Sequence, residues 1–274
     1  MTGTLIRFVL MVVVASLVFT GHWAGAASET SVKILLIGKE PDHDFGSHMY
    51  MHTQTMLAKC LEKTENVQTI VSQGWPRDST VLKGVKTIVL YSSPGAEFLL
   101  DSPGSGLLHQ MMRNGTGLVT IHWASSVYEK NLNRLGDQWL DYLGGTWVSN
   151  YGLSTDTSVL KQLVPEHPIC RGWKEYELYD EYYLNPVINT ATPLLEITTT
   201  GKNVVVGWVY ERPDNGRAYG TTLGHFYSNF RMEAFRRMIV NAVLWTAHVE
   251  VPMDGAPVNI PSIELKLPPE PQKN

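Results

Sequence analysis

The sequence predicts one large α/β domain, a mostly parallel sheet sandwiched between helices. Two observations carry this. Apolar runs too short for helices recur along the chain, VKILLIG (Val32–Gly38), KTIVLY (Lys86–Tyr91) and GLVTIH (Gly117–His122), as strands buried on both faces do. Segments with helical spacing of apolar residues separate them, and strand–helix–strand order builds parallel crossovers.

The elements follow in order. Val32–Gly38 is the first strand. Ser47–Lys63 reads as a helix, with Thr53, Met56, Leu57, Cys60 and Leu61 at helical spacing. Val67–Val71 and Lys86–Tyr91 are the next strands, the latter followed by a Ser-Ser-Pro-Gly loop. Gly106–Arg113 is helical and Asn114-Gly115 stops it. Gly117–His122 is the fourth strand. A short helix, Asp137–Leu143, closes at Gly144-Gly145. Ser154–Leu163 reads as a strand, Glu166–Tyr183 as irregular, and Leu194–Thr199, Val204–Tyr210 and Ala218–Leu223 as strands. A long helix follows Gly224-His225, with an apolar stripe of Phe235, Met238, Ile239, Ala242, Val243 and Trp245. From Val251 the chain is Pro-rich and is expected to lie extended on the surface or to be disordered. The domain thus spans 32–248, with a tail over 249–274.

The first residues read as a leader rather than as fold. Arg7, the apolar run Phe8–Phe19 and Ala24-Gly25-Ala26 match a secretory signal cleaved after Ala26. The run is shorter than the roughly 20 residues of a membrane span. The expected product is exported and not stably inserted in a membrane. It carries 21 basic against 26 acidic residues, a formal charge of −5. An acidic chain without a basic block excludes nucleic acid as the expected partner and leaves small neutral molecules open. Its oligomeric state is not legible. Cys60 and Cys170 are read as unpaired: Cys60 lies on the apolar face of a helix, although an exported protein permits a disulfide.

Four places carry residues suited to chemistry. Gly224-His225 holds an imidazole at the carboxyl end of a strand, the edge where open α/β sheets bind ligands. The same edge receives the loop Glu40–His48, with His43 and His48, and the end of the fourth strand, Thr120–Ser126. There His122 stands where related architectures place a nucleophile. No Gly-x-Ser-x-Gly or cysteine surrounds it, so nucleophilic acyl transfer is not expected. Trp123 offers a ring face to a sugar. In YELYDEYY (Tyr176–Tyr183), Asp180 and Glu181 alternate sides, so one of them is expected to face a pocket. Burial among tyrosines raises such a carboxyl toward the acid–base range. Arg217 faces Glu211 across a predicted hairpin. Each of these residues alone also suits a structural role.

Taken together, Gly117–Trp123, Leu143–Trp147, His167-Pro168-Ile169, Asp180–Tyr183, Gly216-Arg217, Leu223-Gly224-His225 and Asn241–Trp245 resemble the trehalose-utilisation (ThuA-like) family, in the expected order. The resemblance covers about Val32 to Ala247. It implies a flavodoxin-like three-layer sandwich, similar to class I glutamine amidotransferases without their cysteine. It also implies a role in sugar metabolism with keto-sugars or glycosides, and a divalent metal in some members. His43, His122, Asp180, Glu181 and His225 are the positions it carries over.

The expected function is an exported enzyme acting on a sugar or keto-glycoside by acid–base chemistry, as a lyase, isomerase or hydrolase. His122, Glu181 and His225 are its catalytic candidates. His43, His48, Trp123, Asp180, Tyr183, Arg217 and Tyr227 are its substrate contacts. His43, His122 and His225, brought to one sheet edge, suit a zinc-like cation with an open position. No nucleotide cofactor is expected. The alternative is a non-catalytic sugar-binding protein in which Trp123, Tyr183 and Tyr227 dominate.

Overall fold

The computed structural model describes Met1, residues 31–149 and residues 151–270. The expected leader, Met1–Ala26, lies outside the described residues apart from Met1. Strands β1 (Val32–Gly38), β2 (Val67–Gln73), β3 (Val85–Tyr91) and β4 (Gly117–Ile121) form as their apolar runs predict, with α1 (Tyr50–Leu61), α2 (Gly95–Leu100) and α3 (Ser105–Arg113) between them. The predicted Ser-Ser-Pro-Gly loop therefore ends in a helix, α2. Next come β5 (Ser126–Tyr128), α4 (Asp137–Leu143), β6 (Gly145–Ser149), β7 (Leu153–Gln162), β8 (Tyr176–Tyr183), β9 (Val187–Ile188), β10 (Thr192–Thr199), β11 (Lys202–Glu211) and β12 (Arg217–Thr221). The predicted long last helix is broken into α5 (Tyr227–Phe230) and α6 (Glu233–Thr246).

The main sheet runs β2-β1-β3-β4-β12-β11-β10-β7-β8, and β5-β6-β9 form a small second sheet. The pairs from β2 through β12 are parallel. Those from β12 onward are antiparallel. The sheet is thus mixed, not mostly parallel. The reason lies in the connections. A parallel pair needs a crossover of a dozen or more residues, whereas β10 and β11 are joined by Thr200-Gly201 alone. Both of these residues hold positive φ, 50° and 72°, as a tight hairpin requires.

Alternation along β1 divides the core. Ile34 and Leu36 pack with α1 and α6 on one face, Leu35 and Ile37 with residues of α2, α3 and α4 on the other. This is the expected layered architecture. Strand β8 occupies part of the segment predicted as irregular. Leu178, Asp180 and Tyr182 are buried on one side of it, while Glu177 and Tyr179 are exposed on the other. The period of two was hidden by its acids and tyrosines.

The tail departs from the expectation of a surface-laid or disordered segment: it carries a short 3-10 turn at Ser262–Leu265 and packs on the core. Val251, Ala256 and Val258 are buried with α1 and α6 residues, and Asn241 accepts the Ala256 N–H. Val258→Ala is expected to cost about 2 kcal/mol in urea unfolding; a loss near zero would mean that the tail adds nothing to the fold. Cys60 and Cys170 are both buried and unpaired. No helix among the described residues is long and apolar enough to cross a membrane.

Candidate functional site

Four chain segments meet at the carboxyl edge of the parallel strands. The loop after β1 brings Asp42, His43 and His48. The end of β4 gives His122, and the turn after β12 gives His225. The fourth segment is the β7–β8 ribbon. Only Leu195 and Glu196 of β10 register with β7, and the ribbon reaches across to the other three. The Asp180 carboxylate accepts from the N–H groups of Gly224 (2.6 Å) and His225 (3.1 Å).

Local backbone fixes the rings. His48 and His122 hold left-handed φ of 49° and 56°, uncommon for residues other than glycine and worth attention at a functional site. The loop that carries His48 is tied to the turn that carries His225. His48 N–H donates to the His225 carbonyl (3.1 Å), and Tyr227 N–H donates to the Gly46 carbonyl (2.8 Å). Gly224 has φ 109°, and a Cβ there would meet Phe230 and Ile121 at 3.0 and 3.1 Å. The turn that aims His225 therefore needs glycine.

Three imidazole nitrogens converge. His48 Nε2 lies 3.1 Å and His122 Nε2 3.2 Å from His225 Nδ1. His122 Nδ1 is 2.7 Å from the Thr222 carbonyl, which only accepts, so its proton is on Nδ1. His48 Nδ1 faces Asp42 Oδ1 at 3.0 Å and the Tyr50 hydroxyl at 2.7 Å, and Tyr50 donates to the same carboxylate. This too places the proton on Nδ1. Both Nε2 atoms thus present lone pairs to the centre. The three rings are buried. Burial, then the neighbouring histidines, hold His122 well below its ordinary value and push His225 down to about 3. Burial also lowers His48, against the hydrogen bond it donates to Asp42. Burial alone would raise Asp42, but hydrogen bonds from His48, Lys39 and His43 carry it well below the usual carboxylate range.

This donor set fits a divalent cation. Two nitrogens on one zinc at tetrahedral angles stand about 3.3 Å apart, close to the 3.1 and 3.2 Å seen. His48, His122 and His225 are grouped tightly enough to share one ion. The carboxylate on His48 and the carbonyl on His122 are the outer partners that orient metal-binding imidazoles. The predicted set named His43 in place of His48. His43 instead lies over His48 with ring centres 3.6 Å apart, is exposed, and bonds Asp42 at 2.8 Å. Four residues of loop separate the two histidines, and the backbone tie to His225 turns His48 inward.

The other expected residues sort themselves. Glu181 Oε1 is 3.5 Å from His225 Nδ1 and 3.7 Å from His122 Nε2, and burial raises its pKa. The Tyr183 hydroxyl is 2.9 Å from His122 Nε2, its ring stacked on Trp147. Trp123 is partly exposed, 5.7 Å from His43 between ring centres. Asp180 is fully buried and holds the Gly224-His225 turn rather than facing a substrate; burial pushes it up to about 7 against its backbone hydrogen bonds. Arg217 is not at this edge. It starts β12, at the strand's other end, pairs with Glu211 (3.5 Å) and covers Trp245. Tyr227 points away too, toward His52 and the Leu265 carbonyl of the tail. Asp42, Tyr50 and the Thr222 carbonyl were missed. Only Asp42, in the His-rich loop, carried any signal.

The depressed histidines have a consequence for stability. A base with a lowered folded pKa binds fewer protons folded than unfolded, so stability is lost as pH falls through the gap. His225 (about 3) and His167 (about 4, lowered by burial and then by Arg217) span a window below their ordinary 6.5. The melting temperature of chelator-treated protein is expected to fall steadily from pH 6.5 toward 4. Asp180, raised to about 7, binds its proton in the fold and opposes this fall over the same range. The ring is therefore read by difference: His225→Asn should decline less steeply than the parent, and an equal decline would contradict a buried neutral imidazole at position 225.

Comparisons with known proteins bear on the fold and the family. No curated protein matches the chain. Among solved structures, a ThuA-like protein from Bacteroides uniformis superposes with TM-score 0.60 at 18% identity, covering 82% of this chain and 95% of that one. A cytoplasmic protein from Salmonella typhimurium does so with TM-score 0.58 at 16% identity, covering 78% and 99%. A glutamine amidotransferase from Thermotoga maritima is a looser likeness, with TM-score 0.48, 11% identity and coverage of 79% and 98%. At these identities the likeness is one of fold. The family model described as trehalose utilisation matches residues 33–246, from β1 to the end of α6 and across every segment of the site, and the chain belongs to the ThuA family.

Proposed function

We propose that this ThuA-family chain is an exported enzyme that acts on a keto-sugar or keto-glycoside by acid–base chemistry at the His48–His122–His225 cluster, with a divalent cation such as zinc held by the three nitrogens. The observation that carries the proposal is the convergence of His48 Nε2, His122 Nε2 and His225 Nδ1 beside the Glu181 carboxylate. The family's description, trehalose utilisation, supports a sugar as substrate, and the leader pattern of Arg7–Ala26 supports export.

A bound cation supplies Lewis-acid polarisation of a carbonyl oxygen or of water. The chain's own residues do the rest. Glu181 is the base for the acidic proton next to a carbonyl, its raised pKa matched to that task. Tyr183, buried and held well above its ordinary pKa by that burial, keeps its O–H as a donor. His43 and Trp123 stand over the cluster and limit water. Isomerisation, elimination and glycoside cleavage share this first proton abstraction.

The test is therefore exchange of that proton. Zinc-loaded and cobalt-loaded protein is incubated with keto-glycosides in D2O and followed by NMR. Exchange by the parent is expected to exceed that by Glu181→Gln about 100-fold or more. Sugar binding without exchange under either cation would favour the non-catalytic alternative.

A further inference from the structure

The clamp that ties His48 to His225 has a second face. Ser47 and Phe226 are paired across it as an antiparallel bridge. Side chains alternate along extended backbone, so His48 and His225 point to the cluster while Ser47 and Phe226 point away from it. On that side lies a cavity of about 650 Å³ between the clamp and the tail. The Phe226 ring is its shared wall with the cluster: it meets the His225 ring edge-on, 4.5 Å between centres, and stacks on exposed Tyr179 at 5.2 Å. Phe45, itself exposed, is a second aromatic wall.

Two cations complete the lining, Arg231 from the turn after α5 and Lys266 from the tail. Both are exposed, and neither side chain has an ion-pair or hydrogen-bond partner among the described residues. No acid lines the cavity, although acids outnumber bases in the chain as a whole. Ser47 and Ser228 add hydroxyls. Cations without counter-charges raise the local potential for an anion, and aromatic walls suit the C–H face of a sugar ring.

We infer that this cavity is a subsite for an anionic sugar unit, a ring bearing a carboxylate or a phosphate, with Arg231 and Lys266 on the charge and Phe45 and Phe226 against the ring. The inference rests on the reading of the cluster as a sugar site and narrows its substrate to acidic glycosides. Carboxylate and phosphate share the chemistry, and the arms of the test separate them.

Isothermal titration of the full chain compares glucuronic acid, glucose 6-phosphate, glucose and inorganic phosphate. At least one acidic sugar is expected to bind about tenfold or more tighter than glucose, since charge-assisted hydrogen bonds are the stronger ones. Added salt should weaken that preference. The double variant Arg231→Gln/Lys266→Gln, at two exposed positions, should abolish it. Phe45→Ala should weaken acidic and neutral sugars alike. Equal affinity for glucose and both acidic sugars, a preference that survives the double variant, or inorganic phosphate binding as tightly as the sugar phosphate would each overturn the subsite. The same titrations on His122→Asn should keep the acidic preference, so that failure of the cluster's chemistry and failure of this subsite are different results.

Discussion

His122→Asn is expected to lower affinity for a divalent cation by about 100-fold or more, because one of three converging nitrogens is lost while the outer partners of the others remain. Asparagine is chosen because it tolerates the left-handed backbone at this position, φ 56°. The fold is therefore retained, and the effect is read on binding rather than on unfolding. Titration of chelator-treated protein with zinc, in competition with a chromophoric chelator, measures it. The parent should also gain stability from the cation, by about 4 kcal/mol when free zinc is 1,000 times the dissociation constant. The variant should gain far less at the same zinc concentration. Equal zinc affinity in parent and variant would remove His122 from the site.

Asp180→Ala carries the largest expected loss of stability. Its carboxylate accepts from the N–H groups of Glu181, Gly224 and His225 at 3.0, 2.6 and 3.1 Å, and the side chain is fully buried. Truncation leaves these donors without their acceptor, and the cost is roughly 3–5 kcal/mol in chemical denaturation. The turn that aims His225 loses its anchor to β8, so cation affinity should fall with stability. Asp180→Asn, which keeps one acceptor oxygen, should lose less on both counts. A loss below about 1 kcal/mol for the alanine variant would mean that the turn holds itself.

Much of this was legible in the sequence, and the rest was hidden for physical reasons. Strands β1, β3 and β4 announce themselves because both faces are largely buried and their runs are mostly apolar, whereas β2, at the sheet's edge, is half-exposed and mixed in composition. His122 and His225 were found because one follows β4 directly and the other lies in the turn just after β12, so chain order alone puts them at the ligand edge. The choice between His43 and His48 lies in tertiary structure. It is decided by the tie between the Glu40–His48 loop and the Gly224–Tyr227 turn, and by a left-handed φ at His48 that nothing local demands. Strand β8 was obscured because aspartate and tyrosine occupy its buried positions; the burial of Asp180 is matched by the Gly224 and His225 amides, which are distant in sequence. Tyr227 follows the aimed residues, but the first turn of α5 swings it to α1 and the tail. Arg217 was misplaced although its strand position was readable, since it begins β12 and the site gathers where β12 ends. The mixed sheet was implied by the two-residue connection at Thr200-Gly201, which allows only an antiparallel neighbour.

The measurement that bears most directly on the account is the metal content of full-length protein purified without chelator and then incubated with zinc, compared among the parent, His43→Ala and His48→Ala. The account predicts about one tightly held ion per chain in the parent, retention in His43→Ala and loss in His48→Ala, because His48 Nε2 and not the His43 ring faces the centre. No stoichiometric ion in the parent, or equal loss in the two variants, would contradict it.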